Sequence, residues 1–491
     1  MLFEINDSTL ISEITSFQTL INTKFGELNM QNGIEQPLDD NVIDFLNNRI
    51  KPNDKNITYD KGQQLDDLWA LLIEKSIKCL RYFDDREPFM KNDKKMPVAF
   101  GIDNLKNYHK KYIDFERLLY GGANHYRDHV FHAIRTWLIG IFCLLKEQLS
   151  DDNVPLISKL DLDGETNNNL FGRTNFFEKI SIWTLIALCH DLGYPLEKSQ
   201  LILEKTNNMM KEFISNPTLW NNYTFSGGQS NINEYIVKFI STKIKRLEED
   251  KYYGRIQPKY YIKFTKSLES FKHGIVSAAI IYTTLLYFLE ADFNLNDDYI
   301  FDSECARQFY IRREILRAIA SHTCSDIYSI KMSTFTSLLF VCDELQEWGR
   351  KTWDQLYIGD ISNSIDLNIE AFNPKQVKVF EKIDMTESLD QVIPDYILRV
   401  YNSQYSKYKL VFRDGQYSNN REFDFSKYMT IELKNQGASK RQINIEFHIL
   451  STERDEFKIE LINVDLRGQI EVKIQECRAN IQYFDEIKFA N

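Results

Sequence analysis

Near residue 360 the apolar residues of this 491-residue chain change their spacing from a period of 3.6 to a period of 2. One kind of regular structure cannot satisfy both patterns: a helix brings i, i+3 and i+4 to one face, whereas a strand brings i and i+2. Between residues 116 and 350, the runs Asp128 to Gln148, Phe176 to Cys189, Glu234 to Leu247, Phe271 to Leu289, Cys305 to Ser321 and Thr334 to Trp348 predict successive apolar helices, with no alternating strand pattern between them. Beyond residue 360, every second residue is apolar in Ile365-Leu367-Ile369, Val377-Val379, Met429-Ile431-Leu433, Ile443-Ile445-Phe447-Ile449, Phe457-Ile459-Leu461 and Ile470-Val472-Ile474. One helix, about Leu389 to Tyr401, intervenes. Alternation of this kind predicts an antiparallel sheet with one wet face. Upstream, Leu65, Leu68, Leu72, Cys79 and Leu80 form a helical stripe after Gly62, and the charged, Pro-containing stretch Asp84 to Asn104 predicts a loop or hinge.

The expected architecture is therefore mainly α: an N-terminal helical region (1–115), a helical core (116–358) and a C-terminal β-rich (α+β) domain (359–491). At ~150 residues per domain, the length agrees with about three units. Sixty Lys and Arg against 71 Asp and Glu leave a net charge of −11, so strong nucleic-acid binding is not expected, and a polyanion must meet a local patch or a metal ion. The segment Lys243 to Lys266 interleaves basic and aromatic residues, which suits base stacking, but such a run is more often a solvated helix and loop. A polar, Gly-containing insertion, Thr218 to Asn233, predicts a surface loop able to cover a site. Seven Cys lack CxxC spacing and several sit in apolar runs, as reduced packing thiols do. The first residues, MLFEINDSTLISEIT, carry no basic stretch before an apolar core, and the longest apolar runs, Trp137 to Leu145 and Ile275 to Leu289, fall short of the ~20 residues that span a bilayer. A soluble, cytoplasmic protein without membrane contact is expected.

Seven of the eight His fall between residues 109 and 322. His125, His129 and His132 are spaced i, i+4, i+7, so a helix sets them along one face with Arg135 a turn further on. His190 and Asp191 end an apolar helix just before Gly193 and Pro195. Burying that pair is costly without a partner, and a metal satisfies it most directly, since a carboxylate can bridge two ions. His273, His322 and Asp343 follow, each near the end or start of an apolar helix. His109, in a charged stretch, reads as a solvated surface residue, and His448 as lying on the polar side of a strand. Cys189 and Cys342 read as small core residues, and Glu344 and Glu347 as facing water or hydrogen-bonding a metal ligand.

The order His, His-Asp, His, His, Asp, over about Tyr126 to Arg350, resembles the HD-domain superfamily of metal-dependent phosphohydrolases. The resemblance implies a helical HD core, two divalent ions, and cleavage of a phosphoester bond of a nucleotide or cyclic nucleotide signal by a metal-bridging hydroxide. It makes His132 the first ligand, with His129 the competitor for that place; His190 and Asp191 match the namesake pair, with Asp191 as the bridge, and Asp343 matches the last ligand of the first metal. His273 and His322 match the extra ligands of two-metal members, which include cyclic-dinucleotide phosphodiesterases of the HD-GYP type. Those carry HDxGK; here Tyr194 stands at the Lys position and the nearest Lys is Lys198.

Histidine with carboxylate suits Mn, Fe, Co, Ni or Zn and does not select among them. His129 or His125 can protonate the leaving alkoxide if it lies within hydrogen-bond reach, and Arg135, Lys198 and Arg350 are candidate phosphate clamps. The partner expected is a small-molecule phosphoester or nucleotide, and analogy with HD cores suggests a homodimer. Two other functions fit the same ligand order. Di-iron oxygenases related to inositol oxygenase look similar, and a regulatory or scaffold protein could bind a ligand on an HD core without turnover, although the complete ligand set argues against the latter.

Overall fold

The computed structural model describes residues 2–17, 21, 36–84, 101–119, 129–160, 162, 174–210, 229–248, 250–289, 300–327, 330, 332–346, 348, 364–386, 393–409, 411, 423–434, 441–450, 456–478 and 487–490. A short strand, β1 (Phe3–Ile5), opens the chain. The Leu65 stripe is the buried face of α1 (Gly62–Tyr82), which α2 (Ile102–Leu119) follows. The helical core then comprises α3 (His129–Leu145), α4 (Phe176–Cys189), α5 (Tyr194–Met210), α6 (Gln229–Ser241), α7 (Pro258–Glu269), α8 (His273–Thr284), α9 (Ser303–Ser321) and α10 (Phe335–Leu345).

Every residue of α3 is buried, as its unbroken apolar run requires. Helix α4 starts at a capping box, in which the Asn175 side chain accepts from Glu178 N and Glu178 answers the Asn175 backbone. The same Glu178 carboxylate takes Arg307 from α9 and so ties two core helices together.

The expectation of helices alone in this core is wrong for one segment. Helix α6 ends at Ser241, and β2 (Thr242–Glu248), β3 (Lys251–Ile256) and β4 (Ile300–Phe301) form a three-stranded antiparallel sheet. The basic and aromatic run from Lys243 is therefore a hairpin followed by α7. Its turn passes through Asp250 at φ 59, a conformation that a helix does not contain. Tertiary contacts decide the conflict, since Tyr310 donates to Ile244 O and Arg313 to Thr242 O, pinning β2 against α9.

Residues of the C-terminal unit form most of a seven-stranded sheet with the order β1-β5-β6-β7-β8-β9-β10, where β5 is Ser364–Phe372, β6 Gln376–Thr386, β7 Asp424–Lys434, β8 Arg441–Leu450, β9 Glu456–Ile462 and β10 Ile487–Ala490. The sheet is mixed rather than antiparallel. The β6–β7 and β9–β10 pairs run parallel. Each needs a crossover, and each connection carries a helix: α11 (Ile393–Val400, continued by helical turns to Tyr408) and α12 (Arg467–Arg478). Helix α12 holds Ile470 and Val472, which were expected in a strand. Ile470 is buried and Val472 exposed, and the i, i+4 pair Arg467–Glu471 closes at 2.9 Å. Tyr401, Tyr405 and Tyr408 lay the α11 segment on Phe425, Phe447 and Phe457 of the sheet.

The amino terminus joins this sheet, because β1 pairs antiparallel with β5. Just after it, buried Asp7 accepts from Arg135 Nε at 3.0 Å and Nη2 at 2.7 Å, from Trp348 Nε1 at 3.0 Å and from Ile57 N at 2.8 Å. One carboxylate thus links the chain start to α3 and to the segment after α10. Apolar residues from all three expected units belong to one buried cluster, from Ile5 to Ile470. Among the described residues, no helix is long and apolar enough to cross a membrane.

Candidate metal centre

The ends of α3, α4, α8, α9 and α10 meet inside the helical core. His190 and His322 each close a helix C-terminus, of α4 and α9, with right-handed helical backbone. Each turns its Nδ1 back onto the carbonyl three residues earlier: His190 to Ala187 O at 2.8 Å, His322 to Ile319 O at 2.6 Å. A carbonyl only accepts, so Nδ1 carries a proton in both rings and Nε2 is the atom turned to the interior. His273 opens α8 and is held differently. Its Nδ1 and backbone N–H both meet Glu197 Oε2 of α5, at 2.6 and 2.9 Å. A carboxylate behind an imidazole fixes its orientation and raises its basicity toward a metal.

Asp191 divides its two oxygens between two groups of nitrogens. Its Oδ2 lies 3.2 Å from His132 Nε2 and 3.3 Å from His190 Nε2, while Oδ1 lies 3.3 Å from His273 Nε2 and 3.4 Å from His322 Nε2. Asp343 Oδ1 joins the first group, 3.0 Å from His132 Nε2 and 3.6 Å from His190 Nε2. The triads His132–His190–Asp191 and Asp191–His273–His322 can hold metal ions.

Close backbone approach makes this convergence feasible. A Cβ on Gly193 would stand 2.4 Å from His273 O, and one on Gly274 would stand 2.6 Å from Ile319 O and 2.9 Å from His322 Nδ1. Only glycine lets the three segments pack so tightly. The N-terminal helices brace the same turn, with Trp69 Nε1 donating to Leu188 O at 2.9 Å and Tyr108 Oη to Leu192 O at 2.7 Å. His109, expected at the surface, is instead buried: it stacks on Trp69 with centroids 3.8 Å apart and its Nδ1 meets Asp66 at 2.7 Å. Its charged sequence neighbours face outward while the helix turns His109 inward. His448 lies half-buried on β8 beside Ser426 Oγ at 3.0 Å.

The electrostatics call for a cation. Burial works to lower His190, but Asp191 and Asp343 raise it to about 10; burial likewise works against His273, which Asp191 and Glu197 raise to about 9. Desolvation lowers His322 to about 4, helped by the charge on the other two imidazoles. Burial would raise Asp191 and Asp343, yet the surrounding imidazoles hold both well below the usual carboxylate range. His322 Nε2, which faces Asp191 Oδ1, is buried without a hydrogen-bond partner. An orphaned imidazole nitrogen beside ionised carboxylates fits a divalent transition ion, for which mixed N and O donors are suited. Cys189 and Cys342 offer no thiolate, because burial pushes both thiols up.

His132, His190, Asp191, His273, His322 and Asp343 are thus brought together. His129 lies one turn before His132 and outside the cluster: its Nδ1 is 2.6 Å from Glu116 Oε1, and its ring lies 3.9 Å from that of Tyr194. Lys198 lies over the other neighbour, with Nζ 4.9 Å from the Tyr194 centroid. Arg135, expected as a phosphate clamp, does not join the site; its guanidinium is engaged by Asp7 in a buried ion pair. His125 and Arg350 lie outside the described residues.

Sequence reasoning missed Glu116 and Glu197, because nothing in their spacing ties either to a histidine. It also missed Lys407, whose Nζ lies 2.9 Å from Glu344 Oε1. Burial works to lower Lys407, but Glu344, Asp343 and Asp191 raise it above the usual lysine value. Comparison of the chain with protein-family models, with curated protein sequences and with solved structures returned no match.

Proposed function

We propose that this protein is a two-metal phosphohydrolase of the HD type, acting in the cytoplasm on a small-molecule phosphoester such as a nucleotide or cyclic nucleotide. The observation that carries this reading is the division of Asp191, with one oxygen toward His132 and His190 and the other toward His273 and His322. His132, His190, Asp191 and Asp343 would hold one ion, and Asp191, His273 and His322 the other. When bound, such a pair supplies Lewis-acid polarisation of a phosphoryl oxygen and acidifies water toward a pKa of ~7.

The protein's own groups supply orientation and protons. Glu116 holds His129 by Nδ1, so that Nε2 is the atom that can give a proton to the leaving alkoxide. Tyr194 fixes the plane of that ring and carries Lys198 on its face, where the ammonium can meet a substrate phosphate. Glu197 keeps His273 turned toward Asp191.

The test is metal content and turnover together. Protein reconstituted with Mn, Fe or Zn is assayed without oxygen on nucleotide phosphomonoesters and cyclic phosphodiesters, beside Asp191→Ala. Two ions per chain and anaerobic hydrolysis, both lost in the folded variant, are expected. Near-normal hydrolysis by Asp191→Ala refutes the assignment. Iron-loaded turnover that requires dioxygen moves the protein to the oxygenases, and bound metal without turnover moves it to the binding proteins.

A further inference from the structure

We propose that Lys407, a residue of the C-terminal unit, binds the phosphate of the substrate at the metal centre, so that the helical core alone is an incomplete site. The inference rests on the phosphohydrolase reading. Lys407 lies in the helical turn Ser406–Tyr408 at the end of the α11 segment, between two layers. On one side Tyr405 and Tyr408 anchor that turn to Phe447, Phe457 and Phe425 of the sheet. On the other, Lys407 reaches α10, with Nζ 2.9 Å from Glu344 Oε1 and 5.1 Å from the centre of the Phe340 ring.

Glu344 directly follows Asp343, so this ammonium sits at the edge of the first ligand group, where the charges of Asp343 and Asp191 act on it. Just beyond the turn, Val411 O accepts from Ile330 N at 3.2 Å, which fastens the same segment to the stretch that follows His322. The lysine is thus held on the sheet side by Tyr405 and Tyr408 and meets α10 at the residue after Asp343.

An ammonium has three donor positions, and Glu344 takes one. The side chain is 26% exposed, so it is not sealed inside the core. Charge gives the reason for the pair. Glu344 alone would place a negative charge beside the entering phosphate, and Lys407 cancels it while offering a compact cation that can follow the phosphate oxygens.

The experiment uses the full chain, reconstituted with Mn, and inorganic phosphate as the probe in calorimetric titrations. Lys407→Met is expected to keep its metal and melting temperature while binding phosphate about ten- to a hundredfold more weakly, the size of one lost hydrogen bond to a charged group. Lys407→Arg should recover part of that loss. Equal phosphate affinity in wild type and a metal-loaded Lys407→Met overturns the inference.

Glu344→Gln serves if Lys407→Met does not fold. Releasing the ammonium and removing the carboxylate should tighten phosphate severalfold, and unchanged or weaker binding overturns the inference. Wild-type protein that loads metal but takes no phosphate overturns the phosphohydrolase reading itself, and the role of Lys407 with it.

Discussion

His132 Nε2 and His190 Nε2 face each other across 3.0 Å. The Nδ1 of His190 is spent on Ala187 O, so its Nε2 is the atom that meets the nitrogen opposite, and two ring nitrogens at that distance need a proton or a cation between them. A divalent ion would take the place of the proton and offset the charges of Asp191 and Asp343. Added Mn, Fe or Zn should therefore raise the melting temperature of chelator-treated protein, by about 2.7 kcal/mol of stability at a hundredfold excess over the dissociation constant. Differential scanning calorimetry reads the shift, which should vanish in Asp191→Ala.

The support that Glu197 gives to His273 can be tested apart from the ligands. Glu197→Gln keeps the shape but removes the charge behind the imidazole, and its expected effect is a ~10- to 100-fold weaker binding of one ion. Competition with a chromophoric chelator should resolve one weakened and one unchanged ion per chain; two unchanged ions would show that Glu197 does not serve the metal.

Acidity gives a further expectation for the metal-free protein. His190 and His273 are raised from 6.5 to about 10 and about 9, so the stability from their protonated forms is complete below pH 6.5 and is lost as pH rises through 9 to 10. His322 has the opposite sign. Lowered to about 4, it favours the neutral ring, and its contribution is lost as pH falls from 6.5 through 4. Melting temperature should peak near neutrality without metal, and metal loading should flatten the alkaline decline, because the ions replace the two protons. An identical alkaline slope with and without metal would contradict this.

Asp7 offers a test of the frame around the site. Asp7→Ala leaves the buried Arg135 guanidinium without its carboxylate and Trp348 Nε1 without an acceptor. Breaking a buried pair from one side costs about 3 to 5 kcal/mol. Urea denaturation should show that loss, whereas Asp7→Asn, which still accepts a hydrogen bond, should lose less.

Much of the candidate ligand set was legible in the sequence because several members stand where an apolar helix ends. An imidazole after an apolar helix, as at His190 and His322, is costly unless something claims it, and that pattern can be read one segment at a time. The same holds for α4, whose expected limits, Phe176 to Cys189, are those observed. Local pattern failed where two periods fit equally well. Thr242 to Glu248 continues the apolar spacing of α6 but folds as a strand, and Ile470 satisfies a helix as readily as a strand.

The sequence by itself determined which residues can ligate a metal, in what order they occur, and that a helical body precedes a β-rich one. Tertiary structure alone decided that Asp191 faces two groups of histidines, that Glu116 stands behind His129 and Glu197 behind His273, and that Asp7 takes Arg135 away from the site. It also decided that Lys407 crosses from the C-terminal unit to Glu344, and that β1 joins β5 from the far end of the chain. The physical reason is range. Helix ends and apolar periods are set by residues within a few positions of each other, whereas a carboxylate 128 residues from its arginine is chosen by the packing of whole elements, which no local spacing records.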